Sequence, residues 1–296
     1  MDITKELPTV ISFCSGYGGI ERGLDLTGLE HRVLAYVEIE AFAIANLVNK
    51  MEDGIIPPAP IYTDIKTFPA HLFRDRVNII TGGYPCQPFS AAGKRLGEDD
   101  PRHLWPFIRR HVETIRPVQC FFENVEGHIS LGLSTVISDL EEDGYRTTWG
   151  IFSAREVGAV HQRKRVYILA DTNGTGWQQG HQEDAGQSSE QSHGSGVQSG
   201  SIAYTDSARL EGWLHRVEPD QIRRKEQEIR RTTECSDRGS WDGHRVWPPE
   251  PRVGRVVDGC ADRVDRIRLL GNGVVPQTAA KAWITLQHKI ENSNNA

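Results

Sequence analysis

The chain has 296 residues, 38% of them hydrophobic and 25% charged, with a formal net charge of −6. That length can bury a core without disulfide or metal staples, and it suits one large α/β domain with a smaller appendage. No apolar run reaches the roughly 18 residues of a membrane helix and no basic-then-apolar leader opens the chain, so a cytoplasmic protein with no membrane partner is expected.

Five cysteines, Cys14, Cys86, Cys120, Cys235 and Cys260, are scattered without a C-x-x-C pair. Neither a disulfide framework nor a metal site is expected. The negative charge argues against coating nucleic acid by charge alone. It is unevenly spread, however: acids are dense in the first 60 positions, while arginines cluster at 163–165, 223–231 and 252–268.

Thr9–Cys14 is an apolar, β-rich run, followed by Ser15-Gly16-Tyr17-Gly18-Gly19 and an amphipathic helix from about Ile20 to Leu29. Strand, glycine turn and helix open a nucleotide-binding βαβ unit, in which backbone comes close to a ligand at the helix N-terminus. An ordinary tight turn reads the same way. Arg32–Val37 is a second strand ending on Glu38, about 20 residues beyond the glycines, where an acid grips a ribose hydroxyl pair. Glu40 is the competing acid. A helix through about Met51 and a Pro-rich loop lead to Tyr62-Thr63-Asp64-Ile65, where Asp64 taken alone is a turn former or helix cap.

Val77–Thr81 reads as a short buried strand feeding Gly82-Gly83-Tyr84-Pro85-Cys86-Gln87-Pro88-Phe89-Ser90. Cys86 therefore falls in a loop at a strand's carboxyl end, where open α/β sheets collect ligands. A free cysteine is commonly a small buried hydrophobe. Here Pro85 and Pro88 stiffen the loop and the glycines allow close approach, which suits a nucleophile that needs an acid partner. The loop that follows, through Arg102, is long, charged and rich in small residues. Such loops are mobile.

A helix from His103 to Arg116 is stopped by Pro117, and the strand Gln119–Phe122 delivers Glu123-Asn124-Val125 to the same sheet edge as Cys86. Leu131–Gly144 is a further helix, and Tyr145–Phe152 and Val166–Ala170 are strands. Between those strands stands His161-Gln162-Arg163-Lys164-Arg165. Strand alternation puts Arg163 and Arg165 on one face and Lys164 on the other. Two arginines on one face can clamp a carboxylate or phosphate, and solvated strand charges are the competing reading.

From 171 to 201 the composition is Gly, Gln, Ser and His, which cannot build a core. Residues 203–250 interleave aromatics with Arg223-Arg224-Lys225 and Arg230-Arg231; this suits nucleic acid, but Asp220, Glu226 and Glu228 suit an ordinary charged helix nearly as well. A helix from Thr278 to about Ile290 presents Ala279, Ala282, Trp283, Leu286 and Ile290 on one face, to pack back on the first domain. Three parts follow: 1–170, a variable 171–261 with low complexity near 173–201, and a returning 262–296.

Pro85-Cys86-Gln87 with Phe89-Ser90, then Glu123-Asn124-Val125, then Gly271-Asn272-Gly273-Val274 resemble, in that order, the signature of the DNA cytosine-5 methyltransferases. The likeness covers roughly the first 170 and last 30 residues. It implies the S-adenosylmethionine-dependent methyltransferase fold: α/β, with a doubly wound, mostly parallel sheet and a smaller, irregular target-recognition domain. S-adenosyl-L-methionine is the implied cofactor, held by Ser15, Gly16, Tyr17, Gly18, Gly19, Glu38, Ile39, Asp64, Ile65, Pro85, Asn272 and Val274. Cys86 is implied as the nucleophile on carbon 6 of cytosine and Glu123 as the acid at ring N3, with Arg163 and Arg165 in support. Gln87, Ser90, Lys94, Arg95 and Asn124 would meet the DNA, the loop after Cys86 closing over it.

Double-stranded DNA is the implied partner, with the base extruded because carbon 6 is out of reach inside a duplex. A monomer without metal is expected. Three motifs depart from the family pattern: Ser12-Phe13-Cys14 replaces Asp-Leu-Phe, His161 replaces a glutamine, and Gly273 stands where many relatives have a small polar residue. A tRNA cytosine-5 methyltransferase would share every catalytic motif. A nicotinamide-dependent oxidoreductase would leave Pro85-Cys86-Gln87 unexplained, and a non-catalytic DNA-binding relative would not need Cys86 and Glu123 intact.

Overall fold

The structure is a computed structural model that describes residues 7–85, 104–172 and 269–293. Cys86, Gln87, Ser90, Lys94 and Arg95, the low-complexity stretch and the expected recognition region lie outside the described residues.

Seven strands form one sheet: β1 (Thr9–Phe13), β2 (Arg32–Val37), β3 (Ile61–Tyr62), β4 (Ile79–Gly82), β5 (Gln119–Val125), β6 (Arg146–Ser153) and β7 (Lys164–Asp171). Their spatial order is β3-β2-β1-β4-β5-β7-β6. All pairings are parallel except those of β7, which runs antiparallel to both β5 and β6. The order reverses at β1, so the crevice beyond the carboxyl ends of β1 and β4 is the topological switch point.

Helices cover both faces. On one lie α1 (Gly19–Leu26), α2 (Ala41–Glu52) and α6 (Pro276–Asn292); on the other lie α3 (Trp105–Ile115) and α5 (Leu133–Glu142), with the single turn α4 (His128–Leu131) ahead of α5. Alternation along the strands divides the core accordingly. Val10, Ile79 and Phe121 join Leu24, Leu47 and Trp283, while Ile11, Ile80 and Phe122 join Ile108, Val112 and Leu140. The α/β class and the doubly wound, mostly parallel sheet read from the sequence are the ones observed.

The C-terminal helix belongs to this core. Trp283 meets Phe121 edge-on at 5.1 Å between ring centres. Gln119 and Gln287 exchange side-chain amide hydrogen bonds of 3.2 and 3.0 Å, both groups buried. Gly23 on α1 lets α6 come so near that a Cβ there would stand 2.6 Å from the Cβ of Ala279 and 2.9 Å from the Pro276 carbonyl oxygen.

Some boundaries differ from expectation. Strand β5 runs to Val125, so Glu123 and Asn124 are strand residues paired with Tyr167 and Val166 and not the first residues of a loop. The helix expected over 131–144 is α5, which starts after Gly132; that glycine separates it from the preceding single turn α4. Arg163 precedes β7 with φ 37, in the left-handed region, although its side chain keeps the inward face that alternation gives it.

Candidate active site

Because β7 is antiparallel, its first residues lie at the same edge as the last residues of β1, β2, β4 and β5. The glycine turn, Glu38, Asp64, Pro85, Glu123, Arg163 and Arg165 all meet there.

Glu123 is buried, at 5% exposure, yet ionisable. Burial pushes its carboxyl up to about 7, against the opposing pull of Arg165 and Arg163. Arg165 Nε lies 2.8 Å from Glu123 Oε1, off the line of its N–H, so the contact is ionic more than a directed hydrogen bond. The other oxygen, Oε2, faces the loop after β4: a Cβ on Gly83 would be 3.3 Å from it. Three residues further along that loop is Cys86.

The path of that loop is fixed from both ends of Tyr84. Asn124 Nδ2 donates to the Tyr84 carbonyl at 3.0 Å, and the Tyr84 hydroxyl lies 3.0 Å from His128 Nε2. Burial lowers the His128 pKa to about 4. The ring is therefore neutral near pH 7, and the Tyr84–His128 contact is a hydrogen bond between two uncharged groups. Asn124, read as a DNA contact, is buried and spends its amide on the loop.

At the other end of the crevice, Gly16 has φ 55, and the space where its Cβ would stand is open. Glu38 Oε2 accepts from Gly16 N at 2.7 Å and Oε1 accepts from Glu40 N at 2.9 Å, so this acid, rather than Glu40, shapes the turn. Each oxygen keeps a lone pair for a ligand hydroxyl. Ile39 is 71% exposed beside it. Ser15 is turned inward, donating to the Ser12 carbonyl at 2.9 Å. Asp64 caps the short 3₁₀ turn Ile65–Thr67, accepting from Lys66 N at 2.8 Å, with Ile65 buried beneath. Pro85 and Asn272 are exposed at the same crevice edge.

Arg163 does not reach Glu123 directly. Its Nη2 donates to the Gly271 carbonyl at 2.7 Å and to the Gly273 carbonyl, and burial together with Arg165 lowers its pKa. Lys164 points away, to Glu126 at 3.2 Å.

With this geometry in place, the family comparison is decisive. The family profile described as C-5 cytosine-specific DNA methylase matches residues 8–244. The chain belongs to the C-5 cytosine-specific DNA methylases.

Among individual relatives, the type II methyltransferase M.BsuRI of Bacillus subtilis is 31% identical over 193 residues, covering 57% of this chain and 44% of that protein. M.NgoMIV of Neisseria gonorrhoeae is 32% identical over 170 residues, covering 56% and 52%. The chain thus spans about half the length of the curated relatives it matches. A solved structure of S. pombe Dnmt2 methyltransferase aligns over 56% of this chain and 51% of its own at 25% identity, with a TM-score of 0.46.

Two links in this C-5 methylase site have no counterpart in the sequence reading. Thr81 Oγ1 donates to Glu21 Oε1 at 2.5 Å, joining the helix after the glycine turn to the strand before the cysteine loop. His128 holds Tyr84 from 44 positions away. Neither pair has a local pattern; a buried-side glutamate on an amphipathic helix is the one signal available for Glu21.

Proposed function

We propose that the chain methylates carbon 5 of a cytosine extruded from duplex DNA, with S-adenosyl-L-methionine as donor and Cys86 as nucleophile. The observation that carries this reading is Glu123: a buried carboxyl titrating near 7, facing the loop three residues ahead of a cysteine.

The crevice fits an adenosyl ligand. Open space over Gly16, a buried carboxylate at Glu38 with acceptor capacity left, and an exposed apolar side chain at Ile39 are the groups a ribose and an adenine require. Gly18, Gly19, Asp64 and Asn272 would complete the hold, Asp64 through the carboxylate oxygen its cap leaves free. The bound donor supplies a methyl group made electrophilic by a sulfonium sulfur.

The chain's own residues would prepare the base. Carbon 5 of cytosine is a weak nucleophile; addition of the Cys86 thiolate to carbon 6, with Glu123 donating its proton or a hydrogen bond to N3, turns the ring into an enamine. Arg165 keeps Glu123 from drifting to a still higher pKa and would steady the carboxylate once the proton has left. Asn124 and His128, through Tyr84, would set the approach of the cysteine loop. Once carbon 5 of the enamine has taken the methyl group, loss of the carbon 5 proton to water and departure of Cys86 as thiolate would restore aromaticity, with the N3 proton returning to Glu123. A cytoplasmic setting would suit a thiolate nucleophile and a DNA substrate.

Transfer of labelled methyl groups from S-adenosylmethionine to duplex DNA and to tRNA, by the parent chain and by Cys86→Ser, tests the proposal. Labelling of DNA by the parent alone is expected. Labelling of tRNA alone, or Cys86→Ser at a tenth of the parent rate, contradicts it.

A further inference from the structure

Tyr17 sits in the glycine turn, but its side chain turns to the last motif of the chain. Its hydroxyl donates to the Val274 carbonyl. Its ring occupies the place where residue 273 would carry a side chain: a Cβ on Gly273 would fall inside the ring, 2.6 Å from Cδ1 and 2.7 Å from Cζ. Gly273 does not have a left-handed φ, so its backbone conformation does not demand glycine. The ring of Tyr17 does.

The tyrosine is itself held. Lys50 Nζ donates to the Tyr17 carbonyl at 2.6 Å and stands 4.8 Å from the ring centre. The 271–274 segment is held in turn, because Arg163 donates to the carbonyls of Gly271 and Gly273. Gly19 allows the same close approach from the start of α1, where a Cβ would stand 2.5 Å from the Val274 oxygen. The clasped segment borders the acid as well: Val274 Cγ2 would be 3.8 Å from a Cβ on Gly83, whose other neighbour is Glu123.

We propose that Tyr17 is a positioning residue that, with Arg163, clasps Gly271–Val274 over the glycine turn and thereby sets affinity for the adenosyl cofactor, with Gly273 as its steric partner. This rests on the cofactor reading given above. A serine or alanine at 273 would displace the clasped segment, and so Asn272, from the crevice, while a smaller residue at 17 would make room for it.

Calorimetric binding of S-adenosylhomocysteine, with melting temperatures alongside, tests the clasp in Tyr17→Phe, Tyr17→Leu, Gly273→Ser and the Tyr17→Leu/Gly273→Ser double variant. Tyr17→Phe keeps the ring and strands a buried carbonyl, so about tenfold weaker binding is expected, with a melting temperature lowered by about 2–6 °C. Gly273→Ser is expected to weaken binding at least about a hundredfold in the parent background, and less than about threefold further in the Tyr17→Leu background. A serine equally costly in both backgrounds overturns the pairing. Unchanged affinity in Tyr17→Phe and Tyr17→Leu, whatever happens to melting, overturns the positioning role while the cofactor reading stands. A parent chain that binds no S-adenosylhomocysteine overturns both.

Discussion

Arg165 Nε stands 2.8 Å from Glu123 Oε1, where β5 and β7 run antiparallel and bring Val125 opposite Arg165. A carboxylate paired so closely would ordinarily titrate low. Glu123 does not, because burial outweighs both arginines and leaves it at about 7. Under the mechanism proposed above, the pair would be poised for proton donation near neutrality instead of locked as a permanent salt bridge.

Glu123→Gln should lower kcat by about two to four orders of magnitude, the usual worth of a positioned general acid. The sign of the pH dependence follows from the role: an acid that must carry its proton gives a rate that falls as pH rises through about 7. That limb should vanish in Glu123→Gln and move to higher pH in Arg165→Ala, where burial acts with less opposition. Single-turnover pH–rate profiles read both shifts.

Folding stability should show two opposed slopes. Glu123 has its pKa raised by the fold, so the native state holds a proton the unfolded chain has lost between about 4.5 and 7, and stability falls as pH rises through that window. His128 has its pKa lowered to about 4, so stability is lost as pH falls below the unfolded value of about 6.5. The two largely cancel in the parent. Chemical denaturation of Glu123→Gln should expose loss toward acid, and His128→Leu should expose loss toward neutral pH, on the order of 3 kcal/mol in each case.

Asn124→Ala removes the donor to the Tyr84 carbonyl. Turnover should drop about tenfold, the effect of one lost buried hydrogen bond, while cofactor affinity stays near that of the parent. Equal losses in turnover and cofactor affinity would mean that Asn124 supports the whole crevice and not the cysteine loop alone.

Gly23→Ala should destabilise the protein by about 1–3 kcal/mol, although alanine gains about 1 kcal/mol in helix propensity, because the new methyl meets Ala279 and the Pro276 carbonyl. Thermal unfolding measures the net sign. A higher melting temperature would contradict the close packing of α1 on α6.

Local pattern carried most of the scaffold. Apolar, β-rich runs ending in glycines located β1 and β4, and one ending on Glu38 located β2, all to within two residues, and the Trp283 face of α6 predicted its return to the core. Strand alternation likewise separated Arg163 and Arg165 from Lys164. What was not legible depends on pairs far apart in the chain. The extension of β5 through Val125 follows from antiparallel pairing with β7, which no window around Glu123 contains. Asn124 reads as polar and available until the Tyr84 carbonyl is seen to take its amide. Tyr17 and Gly273 make physical sense only together, 256 positions apart, since the glycine answers to a ring and not to its own backbone.

The central claim is a covalent bond from Cys86 to carbon 6 of an extruded cytosine, assisted by Glu123. Duplex DNA carrying 5-fluorocytosine, incubated with the chain and S-adenosylmethionine, tests it most directly, because fluorine at carbon 5 cannot be lost as a proton is and the adduct cannot collapse. Mass spectrometry should find the methylated base attached to the peptide containing Cys86, in full yield with the parent, in greatly reduced yield with Glu123→Gln and not at all with Cys86→Ser. No adduct with the parent, despite methylation of unmodified DNA, or an adduct mapped to another cysteine such as Cys120, would contradict the account.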